Sequence, residues 1–155
     1  MKFSFDKSKT LIYVTVAIHG PDDIFRGSMA LDTGATRTCI SPDVLTNLGY
    51  DVGASGESVV VTTGNGTVSV PTVSILGLRC LGHTKNHLIV NALGFPSKQG
   101  IVGLLGLDFL KNRRLCIDYR DGTVELLRMQ FHCPSPGWDV RIPLWNMERR
   151  WELNL

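Results

Sequence analysis

Apolar and β-branched positions recur along this chain in short runs, each ended by glycine, proline, asparagine or aspartate, a spacing that favours strands over helices. Residues 11–18 (Leu-Ile-Tyr-Val-Thr-Val-Ala-Ile) stop at His19-Gly20-Pro21-Asp22-Asp23, and residues 24–31 resume the apolar pattern, which predicts an antiparallel pair. Residues 59–63 and 67–70 flank Gly64-Asn65-Gly66, the strongest hairpin signal present, with Pro71 expected to close it. Further strands are expected at 72–76, at 87–92 and at 101–105, the last a wholly apolar run that reads as buried on both sides. Residues 115–119 and 123–127 form another hairpin pattern around Arg120-Asp121-Gly122. Ser41-Pro42-Asp43 supplies an N-cap, a first-turn proline and an acidic residue, and Gly49 a stop, so a short helix is predicted over 42–48. A second short helix is expected within 107–112. Strands at short, regular intervals predict an all-β, closed barrel-like domain with one or two small helices.

Length and composition narrow this picture. At 155 residues and 43% hydrophobic, the chain suffices for one well-buried core, read as a domain over 1–128 with a tail over 129–155. The tail holds all three tryptophans, and Trp151-Glu152-Leu153-Asn154-Leu155 alternates strictly, which predicts a terminal strand at a subunit interface or lying back on the domain. A net charge of +2, with Lys111 to Arg114 and Arg149-Arg150 as the only basic clusters, is too little for a nucleic-acid footprint. The uncharged stretch 58–78 has transmembrane length, but its Thr, Ser, Asn and Gly content makes it a hairpin, so no membrane span is expected. Residues 11–18 are followed by no small-residue cleavage site and read as a strand, not a signal segment. Cys39, Cys80, Cys116 and Cys133 are widely spaced and read as reduced thiols, consistent with a cytoplasmic setting.

Candidate chemistry concentrates in Asp32-Thr33-Gly34-Ala35-Thr36, a carboxylate in a glycine-bearing turn directly after the largely apolar, strand-like run Ser28-Met29-Ala30-Leu31. Aspartates that activate a water without a metal need two carboxylates sharing a proton, one acting as base and one as acid. The chain carries one such motif, so a catalytic role requires a second Asp32 from another copy and a site on a two-fold axis. Other readings compete. The motif is compatible with an ordinary turn. Asp32, Gly34 and Thr36 also fit the D-x-G-x-T phosphate turn of actin- and hexokinase-like ATPases, but that fold needs two domains and a second phosphate loop. Cys80, His83 and His87 offer C-x2-H-x3-H, three ligands where a structural zinc usually has four, so a loop with two solvent-facing histidines is the simpler expectation and no metal or other cofactor is predicted. Asp108 reads as a first-turn residue that favours the helix dipole, and Asp118 and Asp121 as solvated turn residues.

Asp-Thr-Gly-Ala, the glycine-tipped hairpin and Leu104-Leu105-Gly106-Leu107-Asp108-Phe109-Leu110, in that order, resemble the retropepsin-like aspartic peptidases, single-domain relatives of retroviral proteases. The stretch 104–118 is similar in particular to the retroviral-protease-like domain of the DNA-damage-inducible ubiquitin-shuttle proteins and of bacterial clan relatives. The similarity spans about residues 11–127.

The resemblance implies a homodimeric aspartic endopeptidase acting on a protein or peptide, with Asp32 catalytic, Thr33 bonding across the two-fold axis and Gly34 permitting close backbone approach. It makes residues 59–70 the flap, with Val61, Thr62, Thr63, Gly64, Asn65 and Gly66 at the substrate beside Ala35, Leu104 and Leu105. Leu104-Leu105-Gly106 would pack behind the Asp loop. A non-catalytic dimeric module that binds extended peptides is the alternative. Pepsin-like enzymes carry a serine where this chain has Ala35, and a hydroxyl there donates to the carboxylate and favours its ionised form. Alanine cannot donate, so activity is expected to peak at a less acidic pH than in pepsin-like enzymes, shaped by the coupled titration of the pair. A pH–rate profile measures this; a peak in strong acid that fades well before neutrality contradicts it.

Overall fold

The computed structural model describes residues 1–54, 56–64, 66–95 and 100–128. The expected tail strand lies outside them. In chain order the elements are β1 (Lys2–Ser4), β2 (Tyr13–His19), β3 (Ile24–Leu31), β4 (Cys39–Ile40), α1 (Pro42–Asn47), β5 (Ser58–Thr63), β6 (Gly66–Cys80), β7 (His83–Ala92), β8 (Gly103–Leu105), α2 (Leu107–Leu110), β9 (Arg113–Asp118) and β10 (Thr123–Arg128).

Six strands run β2-β3-β8-β4-β7-β6, and pairing of β2 with β6 from Val16↔Cys80 to His19↔Gly77 closes them into a barrel. The predicted all-β, barrel-like class with two short helices is the observed one. Alternation along β2 buries Val14, Val16 and Ile18, and β6 adds Ile75 and Leu78, which lie on either side of a change of phase in its alternation, so branched side chains fill the interior. Val44, Leu45 and Leu48, on and just after α1, join this core. A separate sheet, β1-β10-β9, contributes Val124 and Leu126 to the same core.

Three local outcomes differ from expectation. Pro71 does not end a strand: β6 continues for 15 residues, from the hairpin with β5 into the barrel. Pro71 faces Ser58, and pairing with β7 begins one residue later at Thr72, so the missing N–H falls where β6 changes partners. Residues 80–83 form a tight hairpin, not a loop: Leu81 and Gly82 both have positive φ (48° and 75°) and join Cys80 to its partner His83. The run 101–105 is not buried on both sides, because Leu105 is fully buried whereas Leu104 is only half-buried. Ser41 does occupy the N-cap of α1, though its hydroxyl makes no capping bond.

Tyr50 fastens the loop after α1 to the barrel. Its hydroxyl donates to the His19 carbonyl (2.6 Å) and accepts the Leu76 N–H (2.7 Å), an N–H that lies beside the irregularity at His87, where φ is 51°. Burial raises the pKa of this phenol, which stays neutral and able to do both. Tyr50→Phe removes both bonds and is expected to cost about 1–2 kcal/mol, read as a lower urea midpoint at unchanged slope.

Candidate functional site

The barrel order places the Asp32 loop. β3 runs parallel to one side of β8, with Leu31 opposite Leu105, and β4 pairs with the other side, with Cys39 opposite Leu104. Residues 32–38 therefore leave one neighbour of β8 and return on the other. The loop is tied down along its length. The Asp32 N–H donates to the Leu105 carbonyl (3.1 Å), the Gly34 N–H to Asp32 Oδ1 (2.8 Å) and the Leu107 N–H to the Ala35 carbonyl (2.8 Å).

Asp108 completes the anchoring. Its Oδ1 accepts the Thr38 N–H (2.9 Å), the Thr38 hydroxyl (2.6 Å) and the Phe109 N–H (2.8 Å). The Thr38 hydroxyl in turn accepts the Gly106 N–H (3.1 Å), and the Lys85 ammonium donates to the Asp108 carbonyl. A first-turn residue that merely favours a dipole would face solvent; this one holds the Asp32 loop to α2. The clue available in the sequence was the pairing of a polar Thr38 with apolar neighbours Cys39 and Ile40, which marks a buried hydroxyl in need of a partner.

Asp32 is half-buried and opens into a cavity of about 770 Å3 between its loop and the β5–β6 hairpin. Ala35, Val61, Thr62, Gly64 and Leu104, expected at the substrate, all line it. So do the expected flap residues Val59 and Val60, together with Arg37, Cys39, Asn91 and Leu93, which sequence reasoning did not single out. Asp32 is the sole carboxylate among the described lining residues. Gly66 is exposed at the hairpin end and does not line the cavity, and Asn65 lies outside the described residues. Thr63 is the last residue of β5, paired with Gly66.

Leu105 is a correction: its side chain is 0% exposed and packs in the core, and its part in the site is the carbonyl that receives the Asp32 N–H. Thr33 is exposed and borders a different hollow, of about 280 Å3, with Phe5, Ile12 and Tyr119. Gly34 has no positive φ, and a Cβ there would meet only Asp32 Oδ1, at 3.2 Å. Close approach within one chain therefore makes a modest demand for glycine at this position.

The C-x2-H-x3-H pattern does not assemble. Cys80 is buried in β6, where desolvation pushes its thiol up to about 12. His83 is not solvent-facing: it is half-buried with Nε2 2.6 Å from the Leu126 carbonyl, while His87 is exposed on the strand. No group of three or more metal-ligating side chains occurs among the described residues. Cys39, Cys80 and Cys116 are free thiols, and no described helix is long and apolar enough to cross a membrane.

Comparison with known proteins bears on the family and the fold. A family model described as gag-polyprotein putative aspartyl protease matches residues 14–112. No curated protein sequence matches the chain. Among solved structures, the crystal structure of a retropepsin-like aspartic protease from Rickettsia conorii superposes with a TM-score of 0.56 at 16% identity, covering 82% of this chain and 89% of that one.

Proposed function

This chain belongs to the gag-polyprotein aspartyl protease family and has a retropepsin-like fold, and we propose that it is an aspartic endopeptidase that works as a homodimer. The observation that carries the reading is the placing of Asp32: a carboxylate bonded by the Gly34 N–H, the sole one among the described residues lining a largely apolar cavity of about 770 Å3.

Two such mouths facing each other across a two-fold axis supply the two carboxylates. One Asp32 removes a proton from a water as it attacks the peptide carbonyl, while the other donates a proton to the carbonyl oxygen. The first carboxyl then passes that proton to the departing amine while the second takes back a proton from a hydroxyl of the gem-diol as the carbonyl reforms, which restores the singly protonated pair. The exposed hydroxyl of Thr33 is available to bond its counterpart, and the β5–β6 hairpin acts as the flap, with Val59 and Val61 on one face and Gly64 beyond them enclosing the substrate. Apolar residues beside the scissile bond suit walls made of Ala35, Val61 and Leu104. Free Cys39, Cys80 and Cys116 support a reducing, cytoplasmic setting.

Digestion of a peptide library by the wild-type protein and by Asp32→Asn tests the reading. Cleavage products in the first case and none in the second support it, whereas a folded dimer without turnover at any pH leaves a peptide-binding module as the better account.

A further inference from the structure

We propose that Arg37 forms a carboxylate-binding subsite in the cavity beside Asp32, giving the protein a preference for peptides with an acidic group at a fixed distance from the scissile bond. The inference rests on the reading of the cavity as a peptide groove and adds to it the charge of the substrate.

Arg37 is half-buried and lines the same cavity as Asp32, and these two are the only charged residues that do so among the described residues. Its guanidinium has no carboxylate within ion-pair distance among the described residues, where the one ion pair joins the chain's N-terminus to Glu125. A half-buried guanidinium on the cavity wall with no ion pair of its own among the described residues keeps its hydrogen-bonding fork open to a partner. It is well explained by a ligand that brings the charge.

The backbone beneath Arg37 is held firmly enough to aim it. The Ala35 carbonyl accepts the Leu107 N–H at 2.8 Å, Thr38 is fixed to Asp108 from both its N–H and its hydroxyl, and the Arg37 carbonyl receives the Cys39 thiol at 3.5 Å. Apolar walls such as Val61, Leu93 and Leu104 lower the local dielectric and strengthen a charge pair formed there. The planar fork of arginine matches a carboxylate with two parallel hydrogen bonds. Without this residue, an acidic peptide would meet only repulsion from Asp32. With it, the acidic group is welcome at one place and disfavoured elsewhere, and a dimer presents two such places related by symmetry. The carboxylate comes from an internal Glu or Asp side chain or from a peptide C-terminus.

The test uses peptide sets with Glu, Gln or Lys scanned through each position around an apolar centre, each made both C-terminally amidated and as the free acid. Cleavage by the wild-type protein and binding to Asp32→Asn, followed by fluorescence anisotropy, are measured in parallel. At one position on each side of the centre, Glu is expected to be favoured over Gln by about tenfold, less at high salt. Arg37→Gln brings that ratio to about one, and Arg37→Glu reverses it toward Lys, a gain that misfolding cannot produce. A preference for the free acid over the amide, lost in the same variants, assigns the carboxylate to the peptide terminus. A Glu preference that is absent, or that survives in Arg37→Gln, overturns the proposal. If Asp32→Asn binds with the preference but the wild-type protein cleaves nothing, hydrolysis fails and the subsite stands. Cleavage without the preference removes the subsite and leaves the protease intact.

Discussion

Asp32→Asn is expected to fold, self-associate like the wild-type chain and lose peptide cleavage by about 10³-fold or more, the scale of an essential acid–base group. The fold should survive because the amide keeps an oxygen for the Gly34 N–H, and the Asp32 N–H to Leu105 carbonyl bond belongs to the backbone. Circular dichroism and the thermal midpoint, matched to the wild type, separate chemistry from misfolding. Mixing supplies the sharper measurement. If each site needs an Asp32 from both subunits, equal amounts of wild-type and variant chains allowed to exchange show about a quarter of the activity of the same total amount of wild-type chain, since only wild-type pairs work. Independent sites would leave about a half. A residual near one half would retain the protease and remove the shared pair.

The same Asp32 shows how far the sequence reaches. Its motif, the glycine-tipped hairpin and the apolar run before Gly106 were legible because each rests on local chemistry: turn residues with alternating or continuous apolar neighbours. What stayed hidden depends on partners distant along the chain. β4 is two residues long and exists only because Cys39 and Ile40 are clamped between β7 and β8. β1 is short and begins with a lysine, and it forms by pairing with β10 more than a hundred residues away. Pro71 reads as a terminator in any local scheme, yet it sits where β6 exchanges one partner for another. Leu104 and Leu105 are chemically alike, and only the barrel decides that the first meets the cavity and the second the core. Arg37 reads as one more polar loop residue until the hairpin folds over it and encloses it with Asp32.

Asp108 and Gly106 have the same origin and lead to the second large expected effect. Gly106 needs no unusual backbone angle, with φ −91° and ψ 180°, so alanine is conformationally acceptable there. Space is the obstacle: a Cβ would stand 2.6 Å from the Arg37 carbonyl carbon, 2.8 Å from the Thr38 nitrogen and 2.9 Å from the Ala35 oxygen. All three are backbone atoms, and Ala35 and Thr38 are already pinned by hydrogen bonds to Leu107 and Asp108. No side chain can swing away, so Gly106→Ala must push the Asp32 loop off α2. A cost of about 2–3 kcal/mol is expected, a drop in Tm of roughly 5–10 °C, and a fall in kcat larger than the loss of folded protein explains.

Asp108→Ala reaches the same loop from the other side. It strands the Thr38 N–H and hydroxyl in a residue that is 0% exposed, at about 1–3 kcal/mol for each donor left unpaired. Because both substitutions act by releasing one contact between the loop and α2, their effects should not add. The double variant is expected to fall short of the summed losses by about 1 kcal/mol or more, measured by urea unfolding of all four proteins. Strict additivity would mean that Gly106 and Asp108 support the fold separately, and that the position of Asp32 does not depend on the clamp they form together.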